Sequence, residues 1–323
     1  MIKILHTAKY TGLPLELLMS ACPQNFSVKT LDEATYEQLI KEALDSNYFL
    51  VSGRLPIDKT VLENAPNLRM IQRTGVGTDM LDVDAIKQRG IPVYVNAGIN
   101  AQSVAEHTLT LILACLKRLP QVNQQARQGE WKKQQTGVTT RELKGKTVAM
   151  VGMGNIGRLV AQMLQAFGAE VVYTDVVRQP AETEKRLGLN YYDSFESMLP
   201  VADILSFHCP LTQENKEMLN CDTLSRLKEG AIVVNTARGK LINPNDLYKA
   251  LKDGHLSAAA LDTHYEEPFK KDYCLKELDN VILTPHIGGL TCEAFGSMMQ
   301  GAMNNILAFE EGRLDEIESK RIL

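Results

Sequence analysis

The chain has 323 residues, 44% of them apolar, and a formal net charge of −4. That length exceeds what one hydrophobic core usually serves, so two domains are expected. The balanced charge, with neither a basic tract nor a long acidic tail, argues against nucleic acid and other polyanions as partners.

The start, Met1 to His6, lacks the apolar stretch and small-residue cleavage site of a signal peptide and reads as a first strand. Apolar runs at Ile2 to Leu5, Tyr48 to Ser52, Leu68 to Arg73 and Pro92 to Asn96 alternate with amphipathic stretches, which predicts a small parallel α/β unit. Ser103 to Leu119 carries Leu109, Ile112, Leu113 and Leu116 on one face, and predicts a long helix that crosses the domain boundary and is stopped by Pro120. Its apolar part, Thr108 to Leu116, is too short to span a bilayer, so no membrane association is expected.

A second series of strands is predicted at Thr147 to Val151, Glu170 to Thr174, Ile204 to His208, Ala231 to Thr236, Ala258 to Asp262 and Val281 to Thr284. With helices between them, they suit a doubly wound parallel sheet. Thr291 to Gly312 is a last helix pattern that returns to the first domain, giving expected domains of 1–99 plus 290–323 and of 100–289. The cysteines at 22, 115, 209, 221, 274 and 292 form no close pairs, which fits neither a zinc site nor a disulfide framework. No His and acidic pair has metal-ligand spacing on a helix, so no metal is expected, and the protein is expected to be soluble and cytoplasmic.

The run from Gly152 to Gly157, GMGNIG, follows a predicted strand and opens a predicted helix, the context of a dinucleotide site. Gly152 permits the tight turn, Gly154 lets backbone approach a pyrophosphate, and Gly157 lets helix and strand pack closely. Asn155 and Ile156 complete the turn, where helix amides face phosphate. Asp175, closing the next strand, accepts from ribose hydroxyls and repels a 2′-phosphate, which selects NAD over NADP. Arg178, three residues on, is the one nearby group that could oppose that choice.

Arg238 in NTARG, Glu267 in DTHYEEP and His286 in TPHIGG all fall just beyond predicted strand carboxyl ends, where open α/β sheets bind ligands. An Arg, a carboxylate and a His beside a nicotinamide supply an anion clamp and an acid/base. Together with TGVGTDMLD (74–82), NAQSVAEH (100–107) and HCPLT (208–212), these motifs make the whole chain resemble the D-isomer-specific 2-hydroxyacid dehydrogenases, which include phosphoglycerate, lactate and hydroxypyruvate enzymes.

The resemblance implies a doubly wound NAD-binding domain, a smaller flavodoxin-like α/β substrate domain, a homodimer, and hydride transfer in the cleft between domains. By residue, it implies that Arg238 holds substrate carboxylate and keto oxygen, that His286 exchanges the proton, and that Glu267 pairs with His286 and favours its protonated form. Cys209, Pro210, Thr236 and Asp262, with Arg238 and His286, would line the cofactor. Val76 and Gly77, in a glycine-rich anion-binding loop, would bind substrate, and Arg54 would meet a phosphate if the substrate carries one. DTHYEEP departs from the family's common DVFEEEP at Thr263 and His264, which leaves the position of Glu267 intact. His107 reads as a helix-face residue, His208 as structural, and His264 as facing the site. The expected activity is interconversion of a D-2-hydroxy acid, such as phosphoglycerate or glycerate, with its 2-keto acid. The alternative is a non-catalytic NAD(H) sensor resembling the family's corepressor relatives.

Overall fold

The computed structural model describes residues 1–53 and 55–323, so the expectation for Arg54 lies outside the described residues. By contact density the chain divides into two compact units, 1–100 with 291–323, and 101–290.

The first unit is a five-stranded parallel sheet of β1 (Ile2–His6), β2 (Phe26–Thr30), β3 (Tyr48–Val51), β4 (Met70–Arg73) and β5 (Val93–Tyr94), in the order β2-β1-β3-β4-β5. Its inner strands β1, β3 and β4 are largely buried on both faces. Leu5, Phe49, Val51 and Ile71 pack toward one apolar cluster, and Ile4, Tyr48, Leu50 and Met70 toward the other. Alternate residues leave a strand in opposite directions, which is why the sequence there reads as continuous apolar runs. The helix Cys292–Glu310 covers the second cluster with Met298, Met299, Ala302, Met303 and Ile306. It is pinned by a buried polar knot in which Asn305 donates to Gln72 at 3.1 Å and to Asn96 at 3.2 Å, while Asn96 donates to the Met298 carbonyl at 2.8 Å.

The second unit is a seven-stranded parallel sheet of β6 (Thr147–Val151), β7 (Glu170–Thr174), β8 (Leu189–Tyr191), β9 (Ile204–Phe207), β10 (Ala231–Asn235), β11 (Leu256–Leu261) and β12 (Val281–Leu283), in the order β12-β11-β10-β9-β6-β7-β8. The strand order reverses between β6 and β9, and in doubly wound sheets ligands bind at the strand carboxyl ends of such a switch point. The helices Ala101–Lys117 and Asn155–Ala166 pack on the same face, the first contributing Leu111, Ile112 and Cys115 and the second Val160, Ala161 and Leu164.

Two strands, β2 and β8, are additional to those predicted, and the helix after Asn100 ends differently. It starts the second unit at Ala101, stops at Lys117, and is followed by Arg118 with φ +51° and a new helix, Leu119–Arg127. Pro120 sits in the first turn of that new helix, where its missing N–H costs nothing.

Candidate active site

Because every strand of the second sheet is parallel, the loops that follow β6, β7, β9, β10, β11 and β12 all emerge at one edge. After β6, Gly152 has φ +98°, and a Cβ there would lie 2.8 Å from the His208 carbonyl carbon and oxygen. Only glycine lets the loops after β6 and β9 touch so closely. A Cβ on Gly157 would meet the Gly152 oxygen at 2.5 Å, so glycine is also required where the helix presses on the turn. Gly154 has open space where a side chain would start, and it caps the helix Asn155–Ala166 without a side-chain hydrogen bond. The first-turn amides are thus left for an anion, and the cradle fits a pyrophosphate.

Asp175 is half-buried at the end of β7 and accepts from the Met153 amide at 2.5 Å and the Val177 amide at 3.3 Å. The carboxylate that would receive the ribose therefore also braces the glycine turn. Arg178 is turned to Glu184, donating at 2.9 and 3.0 Å, and lies over the Tyr191 ring at 4.9 Å. That bidentate pairing engages the guanidinium that could have favoured a 2′-phosphate. Asn155 accepts from Arg158 at 2.9 Å, and Ile156 packs partly into the core.

The Glu267–His286 pair is assembled from the loops after adjacent strands. Glu267, after β11, accepts from His286 Nδ1 through Oε2 at 2.8 Å and from the His264 amide through Oε1 at 2.8 Å. His286, after β12, has φ +58° and a side chain 42% exposed, against 18% for Glu267. With Nδ1 engaged, Nε2 is the ring atom left to exchange a proton with a ligand.

Arg238, after β10, is half-buried, and Asn235 staples its turn by donating to the Arg238 carbonyl at 2.8 Å and accepting from the Ala237 amide at 2.9 Å. Its neighbour Gly239 is pressed against the loop that carries Glu267, since a Cβ there would lie 2.0 Å from the His264 carbonyl carbon. Asn235, fully buried at a strand end before a tight turn, was not singled out from sequence; its signal was the turn-forming residue type at that place.

The other expected cofactor residues differ in what they offer. Asp262, with its side chain 2% exposed, accepts from the Thr284 hydroxyl at 2.6 Å and from the Ile287 and Gly288 amides at 2.9 and 2.8 Å, with His107 Nε2 at 3.4 Å. Burial pushes its carboxyl up, but these donors together outweigh burial and hold it at about 2. Thr236 is 9% exposed and shares a hydrogen bond of 2.8 Å with Thr108. Burial raises the Cys209 thiol to about 11, so it is a neutral lining group, and Pro210 beside it is exposed, its carbonyl accepting from Asn215 at 2.8 Å.

Three histidines are placed more firmly than the sequence allowed. His208 meets Ser206 at 2.9 Å, and burial lowers it to about 3, so its ring stays neutral. His264 does not face the site through its ring, which is 6% exposed between Phe269 and Tyr273 and bonded to the Thr284 carbonyl at 2.9 Å; its backbone serves the site instead, through Glu267. His107 is half-buried against Asp262 and Thr284 rather than simply on a helix face.

In the first unit, Val76 is 53% exposed and the Gly77 carbonyl accepts from Arg73 Nε at 2.7 Å. Gly75 has an ordinary backbone conformation with open space at its Cβ position, so the loop admits close approach there without a left-handed turn.

The sequence model for the NAD-binding domain of D-isomer-specific 2-hydroxyacid dehydrogenases matches residues 109–288. A glyoxylate reductase of Thermococcus litoralis is 38% identical over 263 residues, 80% of this chain and 78% of that protein. A D-3-phosphoglycerate dehydrogenase of Methanocaldococcus jannaschii is 38% identical over 261 residues, 80% of this chain but 49% of that protein. Among solved structures, D-lactate dehydrogenase of Aquifex aeolicus, complexed with NAD and lactic acid, superposes with a TM-score of 0.87 at 28% identity, covering 99% of this chain and 98% of that one.

Proposed function

Because the chain belongs to the D-isomer-specific 2-hydroxyacid dehydrogenase family and is an NAD-dependent oxidoreductase, we propose that it reduces a small unphosphorylated 2-keto acid of the glyoxylate or hydroxypyruvate class. The observation that carries this reading is the Glu267–His286 pair, with Nδ1 held at 2.8 Å and the ring otherwise open. Arg238 binds the substrate carboxylate through parallel hydrogen bonds and polarises the keto oxygen. NADH, when bound, supplies hydride to the carbonyl carbon. Protonated His286 gives its Nε2 proton to the oxygen; in the oxidative direction the neutral ring takes that proton back. Glu267 accepts from Nδ1 and orients the ring throughout.

The choice of an unphosphorylated substrate is supported by coverage: the glyoxylate reductase matches over 78% of its length, the phosphoglycerate enzyme over 49%. Both relatives are named for turnover, which favours an enzyme over a cofactor sensor. The test is NADH oxidation with glyoxylate, hydroxypyruvate, pyruvate and phosphohydroxypyruvate, with His286→Asn as control. A specificity constant highest for glyoxylate or hydroxypyruvate, abolished in the variant, is expected; a clear preference for phosphohydroxypyruvate would replace the substrate assignment.

The proposed assembly is a homodimer built on residues 118–141. The helices Leu119–Arg127 and Lys133–Gly137 bury no residue, and Trp131 and Val138 are 86% and 76% exposed. Apolar exposure of that kind favours a protein partner. Sedimentation should give a dimer that Trp131→Glu weakens; a monomeric wild type would reject it. All six cysteines are free thiols, and no helix among the described residues is long and apolar enough to cross a membrane, which supports a proposed cytoplasmic location.

A further inference from the structure

We propose that His107, on the helix Ala101–Lys117, is a positioning residue for His286 and acts through the buried carboxylate of Asp262. The inference rests on the acid/base role given to His286 above.

Asp262 takes hydrogen bonds from Thr284, Ile287 and Gly288, donors that lie on both sides of His286 in the chain. One carboxylate therefore fixes both flanks of the turn from which the ring projects. That turn holds His286 at φ +58°, a conformation that a residue with a side chain keeps only when its surroundings over-determine it. Glu267 then fixes the rotation of the ring through Nδ1 at 2.8 Å. Backbone and ring are held by two different carboxylates.

His107 completes the first of these anchors. The hydroxyl proton of Thr284 goes to Asp262 Oδ1 at 2.6 Å, so the Thr284 oxygen can only accept from His107 Nε2, which lies 3.2 Å away. The same nitrogen is 3.4 Å from Asp262 Oδ1, so its proton is shared between hydroxyl and carboxylate. This requires the tautomer protonated on Nε2. The imidazole is also a wall: a Cβ on Gly288 would meet Asp262 Oδ2 at 2.9 Å and His107 Cδ2 at 3.2 Å. Removing the ring both withdraws a donor from a buried anion and leaves space into which the His286 turn can relax. A displacement of about 1 Å at a reacting group is enough to slow a reaction roughly 100-fold.

The test uses the full chain with NADH and the 2-keto acid it turns over best. His107→Leu is expected to lower kcat roughly 10- to 100-fold, with KM and NADH Kd near wild type and Tm modestly lowered by the lost donor to the buried carboxylate. His107→Gln, whose amide N–H can replace the Nε2 donor, should recover most of kcat, and Thr284→Val should resemble His107→Leu. Wild-type kcat in His107→Leu, or a Gln variant as slow as the Leu variant, overturns the proposal. If His107→Leu does not fold, wild-type kcat in a folded Thr284→Val overturns it equally. His286→Asn separates the two readings. An inactive His286→Asn beside a fully active His107→Leu removes only the positioning role, whereas an active His286→Asn removes the acid/base reading and this inference with it.

Discussion

At the scale of single residues, the site depends on side chains that do two things at once. Asp175, the carboxylate proposed to receive a ribose, also accepts the Met153 amide through Oδ2 at 2.5 Å inside the glycine turn. Asp175→Ala is therefore expected to weaken NADH binding as well as relax discrimination against NADPH. A hydrogen bond to a charged group contributes about 1.5–3 kcal/mol, so each effect should be roughly ten- to a hundredfold. Fluorescence titration with both cofactors measures it, and an unchanged NADH Kd would mean that Asp175 neither braces the turn nor meets the ribose. Residue types in short motifs made Arg238, Glu267, His286 and Asp175 visible in the sequence, because each sits just past a strand in a recognisable run. His107 and Asn235 were not read that way. His107 acts through Asp262 and through Thr284, the latter 177 residues away, and Asn235 acts inside a short turn, and no periodicity reports such contacts.

At the scale of elements, burial explains both the strands that were legible and those that were not. Central strands such as β10, buried at all five residues, read as apolar runs. The two missed strands are both edges. β2 alternates as Phe-Ser-Val-Lys-Thr with a single fully buried residue, and β8 has three residues after Gly188, a left-handed helix stop. Pro120 was misread for a related reason: a proline both ends one helix and starts another, and only the left-handed Arg118 before it decides which. Loop packing gives the element-scale prediction. Gly239→Ala places a Cβ 2.0 Å from the His264 backbone carbon, a contact no rotamer can relieve. Overpacking of this kind costs about 1–3 kcal/mol, and by parting the Arg238 and Glu267 loops it should lower kcat/KM together with Tm. A variant with wild-type activity and melting would show that these loops do not depend on close contact.

At the scale of the whole molecule, two parallel sheets bury neutral histidines that an unfolded chain would protonate. Burial lowers His6 from 6.5 to about 4, against a smaller opposing contribution from the Ala8 backbone, and lowers His208 from 6.5 to about 3. Because the folded values lie below the unfolded one, their contribution is full above pH 6.5 and is lost as pH falls toward about 4 and 3. At about 1.4 kcal/mol per pKa unit, His6 alone accounts for roughly 3 kcal/mol across its window. Tm should therefore fall between pH 6.5 and 4.5, less steeply in His6→Gln than in wild type; equal slopes would show that His6 is not buried as a neutral ring. Parallel α/β architecture and family were legible at this scale, since alternating runs and six ordered motifs span the chain.

The central claim, that the protein uses Arg238, Glu267 and His286 to reduce a 2-keto acid as a member of the D-isomer-specific family, is tested most directly by the configuration of the product. Reduction of hydroxypyruvate by the purified protein with NADH, followed by chiral chromatography of the glycerate, should yield the D-isomer alone and none from His286→Asn. L-glycerate, a racemic mixture, or undiminished product from the variant would contradict the account.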